Sequence, residues 1–387
     1  MIKKRSELEE VSIKKLLMRY SIPAFIGNIV IVIYNIVDRF FIGKFIGEEA
    51  LAAAGVTFYL LMIFIAFSML IGVGAGTITS IRLGQDKIND SEKILGNAVT
   101  LFFILGVALS FTLWFNLEWI LIKFGANKEM LPYASSYMRI LIPVSLANFY
   151  SYGLSNIMRA AGAPKVAMFA MIIGGIANLV LDYIFIVLMG MGIEGTAYAT
   201  LIGNILSAIY VLYFFIVGKP MFKIRIFGFN VDETSSIKLK RKNLSLSFAI
   251  SWSIITIGMS SFLLQIVNAL VGAVINKVIV INGGTSGVAI MTIINTYLTL
   301  IVMSVYSIAQ GSQPIIGYNY GAKRFDRVRD TLKLSLIWGL IMSSVFFVIV
   351  MIIPKELILV FNKDESSTVI HEGIKAFRIY FMLIMPA

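Results

Sequence analysis

Residues 20–41 read YSIPAFIGNIVIVIYNIVDRFF. As a helix this run crosses about 30 Å of hydrocarbon, yet it carries an acid, Asp38, near its far end. Residues 166–189, VAMFAMIIGGIANLVLDYIFIVLM, repeat the arrangement with Asp182, preceded four residues earlier by Asn178. An Asp at the centre of a membrane helix costs about 3 kcal/mol on insertion scales, so two of them need a partner or a function to persist. These stretches set the fold class: an all-α, polytopic transmembrane helix bundle whose interior handles charge.

The rest of the chain agrees. It is 58% hydrophobic and 14% charged over 387 residues, with a mean hydropathy of +0.88, a composition suited to lipid. Further apolar runs occupy residues 51–77, 95–117, 131–155 and 195–217, which makes six spans in the first half. After a polar segment come residues 253–281, 287–309 and 334–353, and a tenth run begins near Ile374. About ten spans are therefore expected, with the domains divided as 1–217 (first lobe), 218–245 (basic cytoplasmic linker) and 246–387 (partial second lobe).

Charge orients the spans. With a cytoplasmic N-terminus, most of the 33 Lys and Arg residues fall on the cytoplasmic side, among them Arg159, Lys165 and the cluster in the linker. The positive-inside rule favours that topology, and the net charge of +12 serves mainly to anchor loops against anionic lipid. Because the basic residues are split among short loops, no nucleic-acid partner is expected. The expected setting is the cell membrane, multi-pass and surrounded by lipid, with the chain acting as a monomer.

The two halves resemble one another. Gly84-Gln85-Asp86-Lys87 is matched by Gly321-Ala322-Lys323, and Trp119–Phe124 by Glu356–Phe361, at one constant offset. Tyr137 with Pro143 is matched by Tyr380 with Pro386 at a slightly larger offset, which asks for a short insertion in an outer loop. Two six-helix lobes related by a parallel internal repeat follow from this. On that plan the second lobe is truncated, lacking two helices, and the chain inserts but transports poorly.

Enzyme chemistry finds no foothold. The chain has 0 Cys and 1 His, and it lacks a Walker A loop, an HExxH helix and a nucleophile-elbow serine. Gly72-Val73-Gly74-Ala75-Gly76 lies inside an apolar run with no strand before it, which points to helix packing rather than phosphate binding. The single histidine, His371, is expected in a solvated outer loop. No cofactor is expected.

Several segments match a known family. Ser21-Ile22-Pro23, Tyr34-Asn35-Ile36-Val37-Asp38, Phe41-Ile42-Gly43 and Leu51-Ala52-Ala53-Ala54-Gly55 resemble the first two helices of multidrug and toxic compound extrusion (MATE) transporters. Arg159-Ala160-Ala161-Gly162-Ala163-Pro164-Lys165 and Asn178-Leu179-Val180-Leu181-Asp182 resemble them too. The likeness covers essentially the whole chain. It implies a twelve-helix, two-lobed antiporter that exports organic, often cationic or amphiphilic, compounds across the cytoplasmic membrane against sodium or proton entry. Acids in the first and fifth spans look like the DinF-type and MepA-like branch, whose cation site lies in the first lobe. From that branch Asp38, Asn178, Asp182, Thr200 and Tyr137 are carried over as the coupling site, with sodium possible at Asp38, Asn178, Asp182 and Thr200. The chain has no Asp or Glu between Glu233 and Asp326, which makes a site in the seventh span, as in the NorM-type branch, doubtful.

Depth arithmetic places the same residues together. At 1.5 Å per residue Asp38 lies about 27 Å from Tyr20 and Asp182 about 24 Å from Val166, both in the outer half, while Tyr137 and Thr200 enter from the outer side to about 9 and 8 Å. Asn178 and Asp182, four apart, share a helix face. Oxygen ligands suit a hard cation, and neighbouring carboxylates can alternatively share a proton. The bland alternative is that both acids only hydrogen-bond helices together. Asn35, Phe149, Tyr152, Gln265, Asn268 and Asn295 are candidates for a substrate cavity, and Arg39 is expected to snorkel to the outer interface. A flippase for lipid-linked saccharides, of similar topology, is the alternative function; it would favour a basic cavity, and the spans hold few basic residues besides Arg139 and Lys277.

Overall fold

A computed structural model of the chain describes residues 8–359 and 368–384. The first half runs α1 (Ile13–Phe45), α2 (Glu48–Gly84), α3 (Ile88–Lys123), α4 (Met130–Asn148), α5 (Leu154–Ala160), α6 (Pro164–Asp182) and α7 (Gly192–Val217). Two π-helical turns interrupt it, Phe149–Gly153 between α4 and α5 and Tyr183–Leu188 after α6. A short hairpin, β1 (Ile224–Ile226) paired antiparallel with β2 (Phe229–Val231), lies in the linker. The second half contains α8 (Phe248–Gly321), α9 (Phe325–Ile352), α10 (Pro354–Leu359) and α11 (Thr368–Ile384). Eight of the described helical stretches are long and apolar enough to cross a membrane, so this is a helical membrane bundle. The fourth expected span is built from α4, the π turn and α5. His371 falls within α11 rather than a loop, and Phe361 and Pro386 of the expected repeat lie outside the described residues.

Helix α8 holds 74 residues of continuous helical backbone, which laid straight would be about 110 Å long. Its neighbours show that the axis folds back. Gly258 lies against Leu70 and Gly272 against Tyr59, so its first part runs antiparallel to α2. Gln313 donates to the Val73 carbonyl, and Gly317 and Gly321 pack on Ser80 and Ile81, so its last part runs parallel to α2. The two legs correspond to the apolar stretches Phe248–Ile275 and Ile293–Gly321, the expected seventh and eighth spans.

The internal repeat is visible in the backbone. Asp86 and Lys323, related by the constant offset of the sequence repeat, are positive-φ residues at 61° and 59°. Lys87 and Arg324, the residues next along, share φ/ψ of −92°/64° and −93°/70°. Hydrogen bonds follow the same offset: Asp86 N donates to Leu83 O and Lys87 N to Arg82 O, as Lys323 N does to Tyr320 O and Arg324 N to Asn319 O. The halves also touch reciprocally. A Cβ on Gly84 would strike the Tyr318 carbonyl, and one on Gly321 would strike the Ile81 carbonyl, each contact being the other carried through the repeat. Only glycine lets two backbones approach so closely. Met69 and Tyr306 are repeat equivalents that touch each other, and therefore sit on the pseudo-two-fold axis.

The segments leading into the two halves are exchanged. The residues before α1 dock on the second half, where Arg327 donates to the carbonyls of Leu8 and Val11 and Arg324 pairs with Glu9 at 3.1 Å. Those before α8 dock on α3, where Asn97 accepts from Ser247 N and Thr100 donates to the Leu244 carbonyl. The linker between halves is no free loop. Buried Glu233 accepts from Lys165 N at 2.8 Å and Val166 N at 3.3 Å, capping the start of α6. Buried Glu92 accepts from Lys238 N and pairs with Lys240. Val231 and Ile237 of the linker join the apolar core of the first half.

Candidate functional site

The acid pair is assembled by three helices. On α1 the side opposite the exposed Phe40 carries Asp38, 9% exposed, while α6 ends at Asp182, 0% exposed. Helices α6 and α7 meet backbone to backbone at Gly174 and Gly203, which brings Thr200 within reach of Asn178, one turn before Asp182. The carboxyl groups of Asp38 and Asp182 lie close enough to interact with each other. With the Asn178 amide assigned from its hydrogen-bond network, Nδ2 donates to Asp182 Oδ2 at 3.3 Å and Oδ1 accepts from the hydroxyl and the backbone N–H of Thr200, both at 3.2 Å. Tyr137 is buried on α4 and interacts electrostatically with both acids. Structure thus unites Asp38, Asn178, Asp182, Thr200 and Tyr137.

One oxygen on each acid has no partner: Asp38 Oδ1 and Asp182 Oδ1 are buried and unsatisfied. Buried polar atoms of this kind are costly, and a functional site is where they are retained. Two carboxyl groups, an amide and a hydroxyl provide oxygen donors for a hard cation or a place for a proton. Among the described residues no cluster of three or more His, Cys, Asp or Glu exists that would hold a transition metal.

Sequence reasoning missed two neighbours. Tyr34, one turn before Asp38, interacts electrostatically with both acids and with Tyr152. Thr196, fully buried one turn from Thr200 on the same face, leaves its hydroxyl unpaired. Spacing at i, i+4 from the assigned residues was the available signal. One turn from Thr200 in the other direction, Asn204 accepts from Asn148 at 3.4 Å and donates to the Thr200 carbonyl, extending the polar stripe toward the π turn. Such turns re-aim side chains at functional sites.

The expected substrate-cavity residues scatter. Phe149 is fully buried and packs edge-on to Phe64 and against Phe102, a core residue and not a cavity wall. Asn35 folds back to the Ile31 carbonyl at 2.7 Å. Gln265 donates to the Met62 sulfur at 3.1 Å. Asn268 and Asn295 are exposed. Tyr152 alone of this set sits between the acid pair and the second half. The guanidinium of Arg39 lies over the Phe58 ring at 4.8 Å. Arg159, expected in a loop, is a buried residue at 3% exposure.

A family model described as MatE matches residues 23–184 and 256–387. The multidrug export protein MepA of Staphylococcus haemolyticus is 26% identical over 367 residues, covering 94% of this chain and 76% of the relative. Among solved structures, a MOP superfamily transporter from Pyrococcus furiosus superposes with a TM-score of 0.86 at 26% identity, over 98% of this chain and 81% of the other. The MATE multidrug transporter DinF-BH gives a TM-score of 0.86 at 29% identity, over 97% of this chain and 80% of its own.

Proposed function

This chain belongs to the MatE family, a family of membrane transporters and not of enzymes, and from that premise we propose that it is an ion-coupled antiporter exporting organic compounds. Its relatives are named for multidrug export, and a cationic or amphiphilic cargo is the corresponding reading here. The observation that carries the coupling is the buried pair Asp38 and Asp182 with one orphaned oxygen each. The pair is flanked by the Asn178 and Thr200 dipoles.

The coupling ion, a proton or sodium, is the substrate of this pocket. Its arrival supplies the positive charge that two neighbouring carboxyl groups need, and its departure leaves them repelling each other. That switch acts where α1, α6 and α7 meet, so ion occupancy biases how α1 packs. Because α1 also lies against the second leg of α8 through Asn28, which donates to Ser307 at 2.9 Å, a change in α1 is passed to the interface between halves. Residues 1–217 and 246–387 then act as two lobes, with the linker fastened to the first. We place the linker face in the cytoplasm, in keeping with the basic residues gathered there, and the protein as a monomer in the cell membrane.

Reconstitution into proteoliposomes tests this. Under an imposed sodium or proton gradient the protein should move a fluorescent cation against its own concentration gradient. Transport that only equilibrates the dye would overturn the antiporter reading.

A further inference from the structure

Arg159 is the one charged residue of α5, and its burial is not explained by an acid. Its guanidinium has five N–H donors; the hydrogen bond it makes is from Nη2 to Asn156 Oδ1, at 2.7 Å within its own helix. The groups that interact with it electrostatically are the hydroxyls of Tyr152 and Tyr306. From the second half Gln310, 3% exposed, faces the same place. Its Oε1 is taken by Asn28 Nδ2 at 3.3 Å, which leaves Nε2 as a buried donor without a partner. The Tyr152 and Tyr306 hydroxyls lie beside one another and beside Gln310, and the Tyr306 hydroxyl also faces the Met69 sulfur at 4.0 Å.

A donor count settles the chemistry. The amide oxygens of this cluster, Asn156 Oδ1 and Gln310 Oε1, are occupied, and the acceptors left are the two tyrosine oxygens; against the other N–H groups of the guanidinium and an amide N–H2 the cluster stays rich in donors and carries an uncompensated positive charge. Water offers as many donors as acceptors and leaves the charge uncompensated. An oxyanion offers several lone pairs and the missing negative charge, and a planar guanidinium fork is shaped to receive one. The cluster sits on the pseudo-two-fold axis marked by Met69 and Tyr306, between the halves, where a transported compound must pass.

Resting on the export function proposed above, we infer that Arg159, with Gln310, Tyr152 and Tyr306, binds a carboxylate or phosphate group carried by the cargo, so that the protein accepts zwitterions and anions besides cations. The acid pair holds the coupling ion and Arg159 reads the cargo; the two sites have opposite charge and separate tasks.

A rhodamine with a free carboxylate and the methyl ester of the same dye differ only in the group Arg159 would bind. Binding to the detergent-purified protein, followed by fluorescence anisotropy, should be tighter for the free acid, and inorganic phosphate should displace the acid and not the ester. Arg159→Gln should weaken the acid by about tenfold or more and leave the ester within about twofold, and Arg159→Lys should recover part of the loss. Equal weakening of both dyes would make Arg159 a structural closure between the halves and overturn the inference. So would wild-type protein that binds the acid no better than the ester. In proteoliposomes Asp38→Asn should stop export of both dyes, whereas Arg159→Gln should stop only the acid. If wild-type protein exports neither dye, the export reading fails while the binding result still decides the role of Arg159.

Discussion

The first and second halves of this molecule share a backbone and differ in chemistry. The turn after α2 and the turn after α8 agree to within a few degrees at Lys87 and Arg324, and Gly84 and Gly321 make the same contact reciprocally across the axis. Yet the first half buries Asp38, Asp182, Glu92 and Arg159, and its linker Glu233, whereas residues 234–325 contain no acid at all. The first half packs one extensive core that includes its linker, and the second contributes a smaller separate cluster around Ile290, Phe377 and Phe381. The repeat keeps glycine contacts and turn geometry, while the acids Asp38 and Glu92 are matched by Ile275 and Arg329. Fold and function are therefore written in different residues.

The sharpest way to break that contrast is to move the charge. Asp38→Asn and Asp182→Asn should each reduce gradient-driven export to the level of vesicles without protein while insertion and expression stay normal, since each removes a group that binds the coupling ion. The repeat equivalent of Asp38 in the second half is Ile275. Adding Ile275→Asp to Asp38→Asn should not restore transport, because the new acid lies away from Asn178 and Asp182 of the first half and stands in an apolar leg at a cost of about 3 kcal/mol. Restored export would show the halves to be interchangeable.

The scaffold should respond symmetrically. Gly84→Val and Gly321→Val each drive a side chain into a backbone carbonyl of the other half, an overpacking that costs about 1–3 kcal/mol or more. Thermal unfolding in detergent should fall by similar amounts in the two variants. A drop in only one would mean that the pseudo-two-fold contact is not shared.

Much of this was legible from run length. The expected spans 253–281 and 287–309 correspond to Phe248–Ile275 and Ile293–Gly321, and the constant offset between the sequence halves is the one the turn geometry obeys. Asp38, Asn178 and Asp182 were legible because an acid in an apolar run is costly and four-residue spacing fixes a common face, whereas Thr200 and Tyr137 came from the family resemblance and the depth arithmetic. Arg159 was not. It precedes Gly162 and Pro164, which end the helix, so counting charges assigned it to a loop, and only the tertiary packing of α5 against the second half shows it to be enclosed. Phe149 was misjudged for a related reason: an aromatic beside polar residues suggests a cavity wall, but the π turn at Phe149–Gly153 rotates it into the core. Single-chain periodicity does not register a π turn.

The linker distinguishes the halves more gently. Glu233 caps α6 from outside the helix, and its burial makes the two hydrogen bonds to Lys165 N and Val166 N charge-assisted. Glu233→Ala should lower stability by about 1–3 kcal/mol, read as a fall in the melting temperature of the purified protein. Protection of the α6 amides from hydrogen exchange should fall while α9 stays unchanged. Equal loss of protection in α9 would show that the linker holds both halves.

The smallest effect is expected where the sequence suggested function and the structure supplies no partners. Asn268 and Asn295 are polar residues in apolar legs of α8, and in a bundle that hid them they would have been costly to keep. Both side chains are exposed, and neither appears among the hydrogen bonds that join the halves, which run instead through Asn28, Ser307, Gln310 and Gln313. An exposed amide gives up no buried contact on truncation, so Asn268→Ala and Asn295→Ala should change stability by no more than about 0.5 kcal/mol and export by less than about twofold. Gln310→Leu, one buried position on the same helix, should change the binding of a carboxylate-bearing dye far more. If either asparagine variant matched it, the second half would hold a cargo site away from the axis, and the division of labour between the halves would have to be redrawn.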